Sequence, residues 1–155
     1  MSRFLDLTHR PHDENDPYVA DRLLPALLRN SPFRLWAPGD PIPQRGVFIL
    51  LGIATWSGYD TLLLDMLQEA IASRDDHPVV AVFNAGILPS LEAFEAYIPG
   101  LPPPSQMPVV GVWHDGILTE RAVGRFACDL VARMFGFSAD AVVAALDQAR
   151  AARAS

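Results

Sequence analysis

The sequence predicts an α/β protein in which helices flank a central mixed β-sheet. Residues 47–54 and 78–83 are two continuous apolar segments, which are typical of strands that are buried on both faces. The helix-length segment between them completes a β-α-β unit, whose two strands are parallel. Further along the chain, an Asp-Gly turn at 115–116 joins two strand-like segments and predicts an antiparallel hairpin.

The N-terminal part of the chain is predicted to add a tail and a helix to this sheet. Residues 1–16 are mostly polar, and we expect them to form a flexible tail that precedes a single domain at 17–155. Asp16 and Pro17 are typical of the N-cap and the first position of a helix. The residues with helical spacing that follow are Val19, Leu23, Leu24, Leu27 and Leu28. This apolar stripe would pack on the domain or, alternatively, form the face of a homodimer.

The other elements follow from apolar periodicity and from turn residues. In chain order we expect a strand at 33–36, a helix at 58–73, a short helix at 90–97, a proline-rich loop at 99–104, strands at 108–113 and 117–123, a helix at 124–135, and an extra C-terminal helix capped by Ser138.

The helix at 124–135 is expected to be amphipathic and to bury the single cysteine of the sequence. Its apolar stripe is predicted to contain Phe126, Leu130, Val131 and Met134. Cys128 lies among these residues, and a free cysteine in such a position is usually a small core hydrophobe. We therefore expect a buried and unreactive thiol, with no internal disulfide.

Composition and charge argue against several classes of protein. Half of the residues are hydrophobic, but no apolar run reaches the roughly 20 residues that a membrane span needs. The formal net charge is -6 and there is no basic stripe, so nucleic acid is a poor candidate partner. The first residues lack the apolar region of a secretory signal, and we expect a cytoplasmic protein.

The first buried strand leads into an unusual sequence, Trp56-Ser57-Gly58-Tyr59-Asp60. It resembles the WCGPC motif of thioredoxins with both cysteines replaced. Ser57 takes the position of the first cysteine, and Asp60 takes the position of the second.

Residues further along the chain extend this resemblance. Asn84 ends the next strand, as an asparagine does in thioredoxins, and Pro108, after Met107, corresponds to the cis-proline of the family. The spacing from this proline to Gly116 and Gly124 also matches without a gap. The chain therefore resembles the thioredoxin-like superfamily over its core, residues 46–136, as a degenerate member that lacks the CxxC cysteines.

The departures from the family are as informative as the matches. Thioredoxin chemistry needs one thiolate to attack a disulfide and a second thiol to resolve the mixed disulfide. Neither Ser57 nor Asp60 can do this. The family's buried aspartate and lysine fall at Leu51 and Val82, so the residues that tune the thiols are absent as well. Dithiol–disulfide exchange by the usual mechanism is therefore excluded.

Other chemistry at the motif has little support in the sequence. Ser57 would need a general base to act as a nucleophile, but His77 and His114 are expected at the opposite end of the sheet. We expect Ser57 to cap the helix and Asp60 to interact favourably with the helix dipole. Two hard ligands without a third make a poor metal site. We predict no catalytic residue, no metal and no cofactor, and we lean towards a protein that is not an enzyme.

The resemblance implies a binding groove beside the cis-proline, where an extended peptide would bind by local strand addition. The expected groove residues are Trp56, Ser57, Gly58, Tyr59, Asp60, Met107, Pro108, Val123, Gly124 and Arg125. A role in protein or peptide binding follows, for example as a chaperone-like accessory factor in assembly or maturation. The alternatives are a glutathione-type small-molecule binder that uses Arg121 and Arg125, or an enzyme of another class. A purely structural role, in which Tyr59 and Met107 only cover the core, is equally compatible with the sequence.

Overall fold

A computed structural model describes residues 28–29, 31–54, 58–76, 78–85 and 107–154. Its strands are β1 (Arg34–Leu35), β2 (Val47–Ile53), β3 (Val79–Asn84), β4 (Val109–His114) and β5 (Ile117–Val123). Its helices are α1 (Gly58–Ala72), α2 (Arg125–Phe135) and α3 (Ala139–Ala154). The expected tail at 1–16, nearly all of the N-terminal helix, the helix at 90–97 and the proline-rich loop at 99–104 lie outside the described residues.

The strands form one mixed sheet, as predicted. The sheet has five strands in the order β1-β3-β2-β4-β5. β3 pairs in parallel with β1 and β2, whereas β4 pairs antiparallel with β2 and β5. The α/β class and the C-terminal helix are therefore confirmed. In the described part of the chain, no helix is both long enough and apolar enough to cross a membrane.

The central strands are buried on both faces because their side chains are apolar at successive positions. From Phe48 to Ile53 every residue of β2 is buried. Leu51 and Val82, each fully buried, are register partners on β2 and β3. The two positions to which the resemblance would assign buried charges are thus directly paired and apolar.

Two hydrophobic clusters lie on the two faces of the sheet. The larger one joins alternate strand residues, such as Ile49 and Val110, to apolar side chains of α1, α2 and α3. All three described helices therefore pack on one face, which is called the helix face below. The smaller cluster, on the other face, contains Trp36, Phe48, Leu50, Ala81, Phe83, Ala85, Val109 and Trp113.

The Asp-Gly turn of the hairpin forms as expected. Asp115 and Gly116 have φ angles of 51° and 83°, and positive φ at both positions is the geometry of a type I′ turn. This turn is also bonded to the chain before β2. The Gly46 N–H donates to Asp115 Oδ1 over 2.8 Å, and the Asp115 N–H donates to the Gly46 carbonyl over 3.0 Å.

One prediction about α2 is wrong. The expected apolar stripe included Phe126, but this side chain is 75% exposed, whereas Leu130 and Val131 are buried. Helical side chains lean towards the N-terminus of their helix. Phe126 is the second residue of α2, so there is no preceding turn of the helix for its ring to cover. Cys128, in contrast, is fully buried as predicted.

Candidate functional site

Three segments of the predicted groove lie at the same end of the sheet. Gly52 on β2 is the register partner of Val109 on β4, and Val109 is the register partner of Val123 on β5. The chain enters β4 through Pro108 and leaves β5 through Gly124, while β2 ends close by and precedes α1. The structure therefore brings the start of α1, Met107–Pro108 and Val123–Arg125 to one end of the sheet. Trp56 and Ser57 lie outside the described residues.

Asp60 fixes the start of α1 to the end of β2. Its side chain is almost completely buried, and Oδ2 accepts a hydrogen bond of 2.8 Å from the Ala54 N–H. The sequence predicted a carboxylate in the first helical turn, which is where Asp60 lies. The structure adds that this carboxylate accepts from the backbone of the preceding strand, a contact that reduces its freedom to serve as a ligand or a base.

Tyr59 links the start of α1 to α2 through a hydrogen bond with the buried Cys128 thiol. Burial raises the pKa of the Cys128 thiol to about 12. The hydrogen bond with Tyr59 opposes this effect, whereas the negative charges of Asp60 and Asp129 add to it. Burial also raises the pKa of the Tyr59 phenol well above its usual range, with a further contribution from the bond to Cys128. At neutral pH both groups are therefore uncharged, and the thiol is a poor nucleophile because thiolate is the reactive form.

This pKa shift predicts that the protein loses stability in alkali. Below pH 9 the thiol is protonated in the folded and unfolded states; between pH 9 and about 12 only the unfolded state releases the proton. The free energy of unfolding should therefore fall by about 1 kcal/mol per pH unit above pH 9 because of this thiol. Urea denaturation between pH 7.5 and 10 measures this slope. Cys128→Ser keeps a hydroxyl partner for Tyr59 and does not titrate, so its slope should be distinctly smaller. Equal slopes would contradict the assignment.

The other side of the predicted groove would be formed by the start of β4 and the end of β5. The Met107–Pro108 peptide bond is cis, as the resemblance implied. The Pro108 carbonyl accepts a hydrogen bond of 2.8 Å from the Gly124 N–H. Met107 and Val123 are partly buried against the cluster on the face away from the helices. Gly124 has φ 61° and ψ −134°, a conformation that favours glycine, and it begins α2 without a side-chain cap.

Arg125 and Phe126 are the exposed side chains next to Gly124. Arg125 forms an ion pair of 3.8 Å with Asp140, but the two side chains are 79% and 87% exposed, so the pair contributes little to stability. Phe126 was not among the predicted groove residues. The sequence holds no signal for its exposure, because its spacing is that of a core residue.

His114, which could act as a base or a metal ligand, lies away from this end of the sheet. His114 is the register partner of Val47, at the opposite end of β2, as the sequence predicted. Within the described ranges, no three His, Cys, Asp or Glu side chains form a group that could hold a metal ion.

The described residues at this end of the sheet present a cation, an exposed aromatic ring and partly buried apolar side chains. No protein-family model matches the sequence, and no curated protein matches it significantly.

Proposed function

We propose that this chain is a redox-inactive thioredoxin-like protein that binds a protein partner or a peptide segment at the end of the sheet that contains Met107–Pro108. The observation that carries the proposal is the in-register row of Gly52, Val109 and Val123. This row lies at the end of the sheet where the described start of α1, the Met-Pro bond and the start of α2 are found, which supports the proposal. The strand order and the parallel crossover from β2 to β3 are compatible with a thioredoxin-like arrangement.

The thiol chemistry supports a binding role over a redox role. The single cysteine of this sequence is on α2, and it is buried with its pKa raised to about 12. Asp60, at the second cysteine position of the motif, is bonded to the backbone of Ala54. A cytoplasmic accessory factor in the assembly or maturation of another protein would use such a site to hold an extended segment without chemistry.

Affinity capture from a native lysate tests the proposal, with variants placed where the fold tolerates them. Tyr59 is unsuitable because its hydroxyl bonds the buried thiol. Met107→Asp and Arg125→Glu, each first checked for a native melting temperature, should release a partner that the unmodified protein retains. Loss of one carboxylate contact or one apolar contact should weaken binding by about tenfold. Leu35→Asp is the matched control, because Leu35 is a half-exposed apolar residue on β1, at the opposite edge of the sheet from β5.

A partner that both groove variants retain as well as the control does would place the binding site elsewhere. The glutathione-type alternative makes a different prediction, because a ligand that binds only the folded state raises the melting temperature. Its two candidate cations do not converge. Arg121 is the register partner of Gly111 and so lies on the face away from the helices, whereas Arg125 begins α2 on the helix face.

A further inference from the structure

β5 lies at the edge of the sheet, and no described strand pairs with its outer side. A groove of about 600 Å³ runs between this strand and the outer side of α2. It is lined by Thr119, Glu120, Arg121, Ala122, Phe126, Asp129, Leu130 and Arg133. This region is called the edge groove below. The backbone N–H and C=O groups along an unpaired strand edge are a template for another extended chain.

The two most exposed large hydrophobic residues of the described chain lie at the two ends of β5. Ile117, at its start, is 68% exposed, and Phe126, just beyond its end, is 75% exposed. Leu35 and Val143 are the other two exposed residues of this kind, at 46% and 45%. An exposed apolar side chain is therefore available at each end of β5.

The charges of β5 divide between the two faces of the sheet. Glu120 is the register partner of Val112 and lies on the helix face, where it forms an ion pair of 3.9 Å with Arg133. Arg121 lies on the opposite face, beside Gly111. No carboxylate in the described ranges forms an ion pair with Arg121. A strand added to β5 would thus meet the Arg121 cation on one face. On the other face it would meet the apolar side chains of Ala122, Phe126 and Leu130, together with Asp129 and the Glu120–Arg133 ion pair.

A second copy of the chain is a poor occupant of this edge. Residues directly opposite each other in an antiparallel pair share a face. Two copies of β5 centred on Glu120 or on Arg121 would therefore place like charges opposite each other, which is destabilising. The register shift near Val112 and Trp113 further limits regular pairing at this edge. These features disfavour self-pairing of β5 in those two registers and leave the edge open to a strand of different charge.

We propose that the edge groove binds an extended segment of a partner protein in which acidic and apolar side chains alternate. The acidic side chain would lie beside Arg121, and the apolar side chains would lie against Phe126 and Leu130. Main-chain hydrogen bonds to β5 would supply the part of the affinity that does not depend on the side chains of the bound segment. This inference goes beyond the proposed function and does not rest on it, because it uses the outer edge of β5 and not the Met107–Pro108 segment.

Short labelled peptides test this directly by fluorescence anisotropy with the full chain. One six-residue peptide alternates valine and glutamate, a second alternates valine and lysine, and a third repeats the first with an N-methyl group on every amide. The glutamate peptide should bind at least about fivefold more tightly than the lysine peptide, because one favourable charge pair replaces an unfavourable one. The N-methyl peptide should lose binding, since it lacks the main-chain donors.

Variants locate the peptide on β5. Arg121→Glu should reverse the preference, so that the lysine peptide binds more tightly, and Phe126→Ser should weaken the glutamate peptide by about tenfold. Arg34→Glu is the matched control, since it makes the same change on an exposed residue of the other edge strand, β1. Met107→Asp, which tests the proposed function, should leave this binding intact.

Three results would each overturn the proposal. They are the absence of binding by the glutamate peptide at millimolar concentration, equal affinity for the glutamate and lysine peptides, and an unchanged preference in Arg121→Glu. Binding that Met107→Asp abolishes and Arg121→Glu leaves unchanged would move the peptide to the groove of the proposed function.

Discussion

Asp60→Ala is expected to lower the free energy of unfolding by about 3 kcal/mol. The carboxylate is almost completely buried, and the Ala54 N–H donates to it over 2.8 Å. Alanine would leave this N–H without its partner and would also leave a small void. A buried donor without a partner costs more than the net gain of the hydrogen bond, because its desolvation is no longer offset. The affected donor lies between the end of β2 and the start of α1, so the loss should also loosen the proposed groove.

Asp60→Asn is the control for shape. Asparagine keeps a side-chain oxygen in a similar position, so the free energy of unfolding should fall by only about 1 kcal/mol. Urea denaturation at pH 7 measures both variants, and hydrogen exchange of the Ala54 amide reports the local effect. If the two variants were equally stable, the contact with Ala54 would not be what makes Asp60 important.

Gly52→Ala is the second substitution with a large expected effect. An added Cβ would lie 2.7 Å from Val109 Cγ1, 2.8 Å from Phe83 Cζ and 3.0 Å from the Ala85 Cβ. These atoms belong to the cluster on the face away from the helices and are buried, so they cannot move into solvent. Overpacking of this kind costs about 1–3 kcal/mol, and we expect a value near the upper end.

Gly39→Ala provides a contrast within the same chain. Gly39 has φ +86°, but a Cβ there would meet nothing within 4 Å. The free energy of unfolding of Gly39→Ala should therefore fall by about 1 kcal/mol, because of backbone conformation alone. Thermal unfolding of the two variants separates the effects. A Gly52 variant that is no less stable than the Gly39 variant would mean that the sheet adjusts to the added methyl group.

The fold was accessible from the sequence because its central strands are apolar without interruption. The predicted strand at 78–83 and the observed strand Val79–Asn84 differ by one residue, and so do the predicted strand at 108–113 and Val109–His114. Glycine and serine set the helix ends. Gly136 adopts the left-handed conformation after α2, and the Ser138 hydroxyl accepts from the Asp140 N–H before α3. These are local effects, which sequence patterns record.

The contacts at the site were less accessible, because they join segments that are distant in the chain. The bond between Tyr59 and Cys128 connects residues on different helices, and each residue alone is typical of a core position. The exposure of Phe126 depends on how α2 packs on the sheet, which its apolar spacing does not specify. The expectation that the start of α1, the Met-Pro bond and Gly124 lie at the same end of the sheet came from the resemblance.

The paired hydrogen bonds between Gly46 and Asp115 have a practical consequence for anyone who labels or splits this protein. A two-residue hairpin tip is usually the first choice for inserting a tag or a fluorophore. Here that tip also holds the entry of β2 in place, so an insertion at 115–116 would disturb the central strand. The exposed turn around Gly39, with open space beside it, is the better position for a reporter or for new chain ends.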